Sequence, residues 1–110
     1  MGMTHRITGL RAGISWPTLR DELAQRGLPA QLRMIDAQLA FPAEEPPENW
    51  SELRIGMAAG MVTIRRETDA VSVVIWGNAD EALRAAWTTL ATAITQVFGG
   101  SIQLEMTDIP

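Results

Sequence analysis

The chain has 110 residues, of which 46% are hydrophobic and 20% charged, and its formal net charge is -4. This length suits one domain with its own core, and the apolar fraction excludes an intrinsically disordered chain. The absence of cysteine excludes disulfides, thiolate catalysis and cysteine zinc sites, and the absence of lysine excludes Schiff-base chemistry. We therefore expect a single α+β domain over residues 1–110, with no nucleic-acid or membrane partner for so acidic a chain.

The sequence contains no segment typical of a membrane span or of a secretory signal peptide. No stretch approaches the roughly 20 apolar residues of a membrane span. The first ten residues, MGMTHRITGL, contain no apolar run that is typical of a signal peptide. We therefore expect a cytoplasmic protein.

The first half of the chain predicts a strand, a short helix and a second strand. RITGLRAGISW, residues 6–16, alternates loosely between apolar and polar residues and predicts a strand. The next segment predicts a helix that Ser15 caps and Gly27 ends. Residues 30–41 predict another strand, and because their apolar positions change parity we expect a bulge near Ile35 and Asp36. The proline-rich segment 42–50 then predicts an exposed, stiff loop.

The second half predicts a meander, a long helix and a closing strand. Residues 51–57, 61–67 and 70–77 each favour a strand, with short turns between them. Residues 80–98 predict a helix of about five turns, because apolar side chains recur at spacings of three and four. Two glycines end it, and residues 101–106 predict the last strand.

This order of elements predicts the fold. If the hairpin formed by residues 51–67 is set aside, the order becomes βαββαβ. That order indicates a ferredoxin-like α+β fold, an antiparallel sheet with two helices packed on one face and an inserted β-hairpin. The order is too common to indicate a family.

The residues that carry chemistry are sparse. The turn before the long helix could hold an anion, but Asp80 and Glu81 already occupy the positive end of the helix dipole, so a capping role is favoured. His5 is the sole histidine, and we expect it on the surface near a frayed terminus. The three glutamates of the 42–50 loop indicate a solvated loop more than a cation site. We therefore expect no metal and no cofactor.

Two groups of charged residues are candidates for a catalytic site and for an anion-binding site. Asp36 stands in an apolar segment, where it is either a buried acid or a solvent-facing marker of the bulge, and we favour the second. A small carboxylate enzyme would use either Asp36 or Glu52 together with an arginine. Arg54 and Arg65 could hold an anion, although cross-strand ion pairs explain them more simply.

The sequence carries more apolar and uncharged side chains on its predicted helix and strands than one hydrophobic core can bury. The outer side of the long helix carries threonine and alanine where a solvated helix usually carries charge. The 70–77 strand is apolar on both faces, and its second face includes a tryptophan. Unless the hairpin folds over Trp76, these surfaces predict self-association as a homodimer or higher oligomer. The predicted interface residues are Val74, Trp76, Thr88, Thr92 and Thr95.

The leading hypothesis is thus a non-enzymatic protein–protein interaction or assembly module that acts as a homo-oligomer. The main alternative is a small-molecule-binding regulatory domain, with a pocket between the open sheet face and the 42–50 loop. The residues of that alternative pocket are Trp50, Arg54, Arg65 and Trp76.

Overall fold

Most of the regular structure is β-sheet. The computed structural model describes residues 2–107, with side chains as far as residue 103. Its elements in chain order are β1 (Gly2–Leu10), α1 (Trp16–Gln25), β2 (Gln31–Ile35), β3 (Gln38–Leu39), β4 (Glu52–Met57), β5 (Gly60–Arg66), β6 (Ala70–Trp76), α2 (Glu81–Phe98) and β7 (Gly99–Thr107).

The seven strands form a single antiparallel sheet in the order β3-β2-β4-β5-β6-β1-β7. Strands β2, β4, β5 and β6 lie side by side in chain order, each antiparallel to the next, and β3 pairs with β2 on its outer side. Strand β1 is then inserted between β6 and β7, and it pairs with β7 from Gly2–Thr107 to Leu10–Gly99. The N-terminal strand is therefore an interior strand of the sheet.

The predicted ferredoxin-like βαββαβ fold is wrong. That fold has four strands in its sheet with the hairpin as an addition, whereas the described residues form a single seven-stranded antiparallel sheet with two helices. The hairpin expected as an insertion supplies β4 and β5, which lie in the middle of the sheet and connect β2 to β6. The protein is therefore mostly sheet, and β4 and β5 are central strands of that sheet.

Strand β1 begins earlier than the sequence pattern indicated. Met3, His5 and Ile7 are buried and alternate with more exposed polar residues, which is the period of two expected for a half-buried strand. The expectation that His5 lies on the surface is therefore wrong. A chain end held between two strands is not free to fray.

The predicted strand over 30–41 is a hairpin. Strands β2 and β3 are joined by a turn at Asp36 and Ala37, whose φ angles are 48° and 68°. The register shift lies further upstream, between Leu32 and Met34, so that Leu32 and Ile35 both reach the core. The change in parity was therefore a correct signal of an irregularity, but the expected position of the bulge is occupied by the turn.

The two predicted helices are present. The Asp80 carboxylate accepts a hydrogen bond from the Leu83 N–H at 2.9 Å and caps α2, as its sequence position indicated. Helix α2 leads into β7 without a loop, through Gly99 and Gly100 with φ angles of 88° and 97°. A Cβ atom at Gly100 would lie 2.7 Å from the Thr8 carbonyl oxygen, so this junction requires glycine. Neither helix of residues 2–107 has the length and apolar character to cross a membrane.

The side chain of Asp36 fixes the turn between β2 and β3 to the start of β4. One carboxylate oxygen accepts hydrogen bonds from the N–H groups of Ser51 and Glu52, both at 2.8 Å. We expect Asp36→Ala to lower the free energy of unfolding by about 2 kcal/mol, because it removes this acceptor and places alanine at a left-handed φ. Asp36→Asn keeps an acceptor and tolerates that φ, so it should lose about half as much or less. Urea denaturation measures both, and equal losses would contradict the structural role.

Candidate interaction surfaces

The two faces of the sheet differ in what covers them. Val71, Val73 and Ile75 of β6 are at most 1% exposed and belong to the core beneath α2. The intervening side chains of β6 lie on the other face, which no helix covers among the described residues, and Trp76 there is 60% exposed. The alternative in which the β4–β5 hairpin folds over this tryptophan does not occur, since both strands lie in the plane of the sheet.

Three apolar side chains form the exposed end of this open face, and we call Met61, Val74 and Trp76 the Trp76 patch. Met61 is 46% exposed, and Val74 is half-buried. Gly2 is the cross-strand neighbour of Trp76, so β1 contributes no side chain beside the indole. The patch lies at one end of the strands.

Three arginines of the open face, Arg6, Arg54 and Arg65, are paired with glutamates. Glu52 lies between Arg54 and Arg65, with Nε–Oε1 distances of 3.5 and 3.9 Å. Arg6 and Glu67 form a closer pair at 2.9 Å. These pairs contribute little stability. The pair of Arg65 with Glu52 is cross-strand, whereas Arg54 and Glu52 belong to the same strand.

The threonines of α2 lie along one side of the helix, and we call Thr88, Thr92 and Thr95 the threonine ridge. Thr88 is exposed and the other two are half-buried. The hydroxyl groups of Thr92 and Thr95 donate to carbonyl oxygens of the same helix, at 2.9 and 2.8 Å. Ala91, which the sequence placed on the same side, is fully buried. The ridge therefore presents methyl groups, with its hydroxyl donors largely satisfied.

The five predicted interface residues form two separate surfaces. The threonine ridge belongs to the helix layer, whereas Val74 and Trp76 lie on the opposite, open face of the sheet. A flat contact with one partner copy cannot bury both surfaces at once.

A buried cluster joins α2 to the sheet beside the ridge. The ring of His5 stacks on Trp87 with a centroid distance of 3.8 Å, and its Nε2 lies 3.4 Å from the Thr88 hydroxyl oxygen. The Trp87 indole N–H donates to the Val73 carbonyl oxygen at 2.7 Å. His5 Nδ1 is buried without a hydrogen-bond partner. Desolvation by this burial lowers the pKa of His5 from its ordinary value of 6.5.

The four residues of the alternative small-molecule pocket are not brought together. Trp50 is 3% exposed and belongs to the core, whereas Trp76 lies on the open face at the other end of the strands. The side chain that meets Trp50 is Arg66, whose guanidinium carbon lies 4.1 Å from the ring centroid and whose Nε donates to the Trp50 carbonyl oxygen. Strand alternation could have indicated this, because Arg65 and Arg66 must point to opposite faces.

A cavity of about 400 Å³ lies next to this contact, between the start of α1 and the 42–50 loop. Trp16 and Trp50 form walls of it, and the indole nitrogen of Trp16 is buried without a hydrogen-bond partner. The sequence pattern gave no reason to combine these two tryptophans, since the loop that brings them together has no periodicity. Within residues 2–107, no group of three or more histidine or acidic side chains is arranged to hold a metal ion.

The burial of His5 predicts a pH dependence of stability. Because the folded pKa lies below the unfolded value, the unfolded chain binds more protons between the two values, so stability is lost as the pH falls below about 6.5. We expect His5→Phe, which keeps an aromatic ring against Trp87, to lose less unfolding free energy than the wild type between pH 7.5 and pH 5. Urea denaturation at both pH values measures this difference. Identical losses would show that His5 does not titrate with folding.

Comparison with known proteins identifies no relative of this chain. No protein-family model matches the chain, and no curated protein and no solved structure matches it. The functional conclusion therefore depends on the geometry of the described residues.

Proposed function

We propose that this protein is a cytoplasmic, non-enzymatic assembly module that acts as a homo-oligomer. The observation that carries the proposal is the exposure of Trp76, 60% accessible on a sheet face that nothing in residues 2–107 covers. Large contiguous exposed apolar patches are typical of contact sites, and an indole beside two further apolar side chains is a candidate for one.

The composition of the Trp76 patch suits a protein partner. Tryptophan is enriched among the side chains that dominate binding energy at protein interfaces. Burying the exposed part of one indole contributes about 3 kcal/mol, at roughly 25 cal/mol per Å² over an area of order 100 Å². The patch consists of apolar side chains alone, whereas small-molecule sites add a few convergent polar groups, so a second protein surface fits it better.

The surroundings of the Trp76 patch support a partner of the same chain. The ion pairs of Glu52 with Arg54 and Arg65 reduce the positive charge beside the patch, so two copies do not meet as two unpaired arginine clusters. A polar rim around an apolar centre is the usual anatomy of a protein interface. A second copy is also always present at the concentration of the protein itself.

Sedimentation velocity from micromolar to millimolar concentration tests the proposal. We expect the wild type to self-associate, and we expect Trp76→Ser to weaken that association about tenfold or more, since it removes the largest apolar side chain of the patch. Phe41→Ser is the matched control, because Phe41 is 79% exposed, directly precedes the 42–50 loop and lies outside the patch. It should leave the association unchanged.

Two results would overturn the proposal. A wild-type chain that stays monomeric at every concentration removes self-association altogether. Equal effects of Trp76→Ser and Phe41→Ser remove the Trp76 patch as its cause.

A further inference from the structure

The two edges of the sheet are protected very differently. At one edge, β3 has two residues and runs into the proline- and glutamate-rich 42–50 region, which prevents further strand pairing. At the other edge, β7 has nine residues, Gly99–Thr107, with no proline, no basic residue and a single charge at Glu105. Among residues 2–107, no strand pairs with the outer side of β7. Long edges without such protection are templates for another strand.

The backbone alternation identifies which groups of β7 face outward. In an antiparallel sheet, alternate residues direct their N–H and C=O groups to opposite neighbours. The Glu67 N–H donates to the Ala70 carbonyl oxygen, so Ala70 and every second residue after it in β6 face β5. The residues between them face β1, and the same alternation can be carried through the β6–β1 and β1–β7 registers. The backbone groups that remain directed outward from β7 are those of Ile102, Leu104 and Met106.

The threonine ridge lies on the same side of the molecule as this edge. Thr88 contacts His5 of β1, and the cross-strand partner of His5 on β7 is Leu104, at the middle of the edge strand. Helix α1 contacts α2 on its other side, where Arg26 donates to Gln96. One side of the molecule therefore presents an open strand edge in the sheet layer and an uncharged threonine surface in the helix layer.

The area of this side matches the requirement of a weak, specific dimer. A nine-residue strand is about 30 Å long and the 18-residue helix α2 about 27 Å, so two layers of about 10 Å thickness present roughly 600 Å² per copy. Specific interfaces begin near 1,200 Å² in total. Strand pairing alone reaches about half of that area, so the helix layer is needed as well.

We propose that two copies of this chain pair antiparallel through their β7 edges, with their threonine ridges in contact, and form one continuous sheet. This inference deepens the proposed function, since it rests on self-association and specifies a second contact that is independent of the Trp76 patch. A two-fold axis at Gln103 places Glu105 opposite Ser101 of the second copy, so no like charges oppose each other. The outward N–H and C=O groups of β7 then form backbone hydrogen bonds with the β7 strand of the second copy.

Two measurements test the pairing on the Trp76→Ser background, which removes the contribution of the patch. In sedimentation velocity, Gln103→Lys should weaken the remaining dimer about tenfold or more, because it places like charges near the axis. Gln25→Lys is the matched control, an exposed glutamine at the end of α1 that should have no effect. In hydrogen exchange, the amides of Ile102 and Leu104 should become protected as the protein concentration rises.

The possible outcomes separate this inference from the proposed function. A wild-type chain that is monomeric throughout overturns both. Self-association that Gln103→Lys leaves unchanged, with the amides of Ile102 and Leu104 in fast exchange at high concentration, overturns the edge pairing alone. If Gln103→Lys lowers the thermal stability of the monomer, the hydrogen exchange of the unsubstituted edge strand decides.

Discussion

The packing of Trp87 onto the sheet is the interaction on which the rest of the structure depends. Its indole is held at two points, by the Val73 carbonyl oxygen and by the ring of His5, and these belong to adjacent strands. The contact sets the rotation of α2 about its axis, and hence which side of the helix faces the core. The exposed position of the threonine ridge is a consequence of that rotation.

The same contact explains why the two open surfaces are different in kind. On the helix side, almost all the apolar side chains of α2 are buried in the core, so its uncovered surface consists largely of threonine methyl groups. On the open side, no described element covers Val74 and Trp76, so an apolar patch lies near the ion pairs of Glu52. The sheet edge at β7 is a third kind of surface, since its binding groups are those of the backbone.

Local signals in the sequence predicted the local structure well. The apolar stripe of α2, the cap at Asp80 and the exposure of Trp76 each follow from residues within a few positions of one another. The strand order did not follow from the sequence, because the pairs of β1 with β6 and β7, such as Thr8–Ala70 and Gly2–Thr107, join residues far apart in the chain and have no local signature. The alternation of Met3, His5 and Ile7 was a valid strand signal, but a histidine near a chain end is a poor indicator of burial.

The interior position of β1 has a consequence for how the chain acquires its structure. The ribosome makes β1 before the other strands of the sheet, yet its two neighbours are β6 and β7, which come after all of them in the chain. Strand β1 therefore has no pairing partner until β6 has emerged, while β2, β4 and β5 already have theirs. The nascent chain exposes Met3, His5 and Ile7 during that interval, and closure of the sheet around β1 is the step that ends their contact with water.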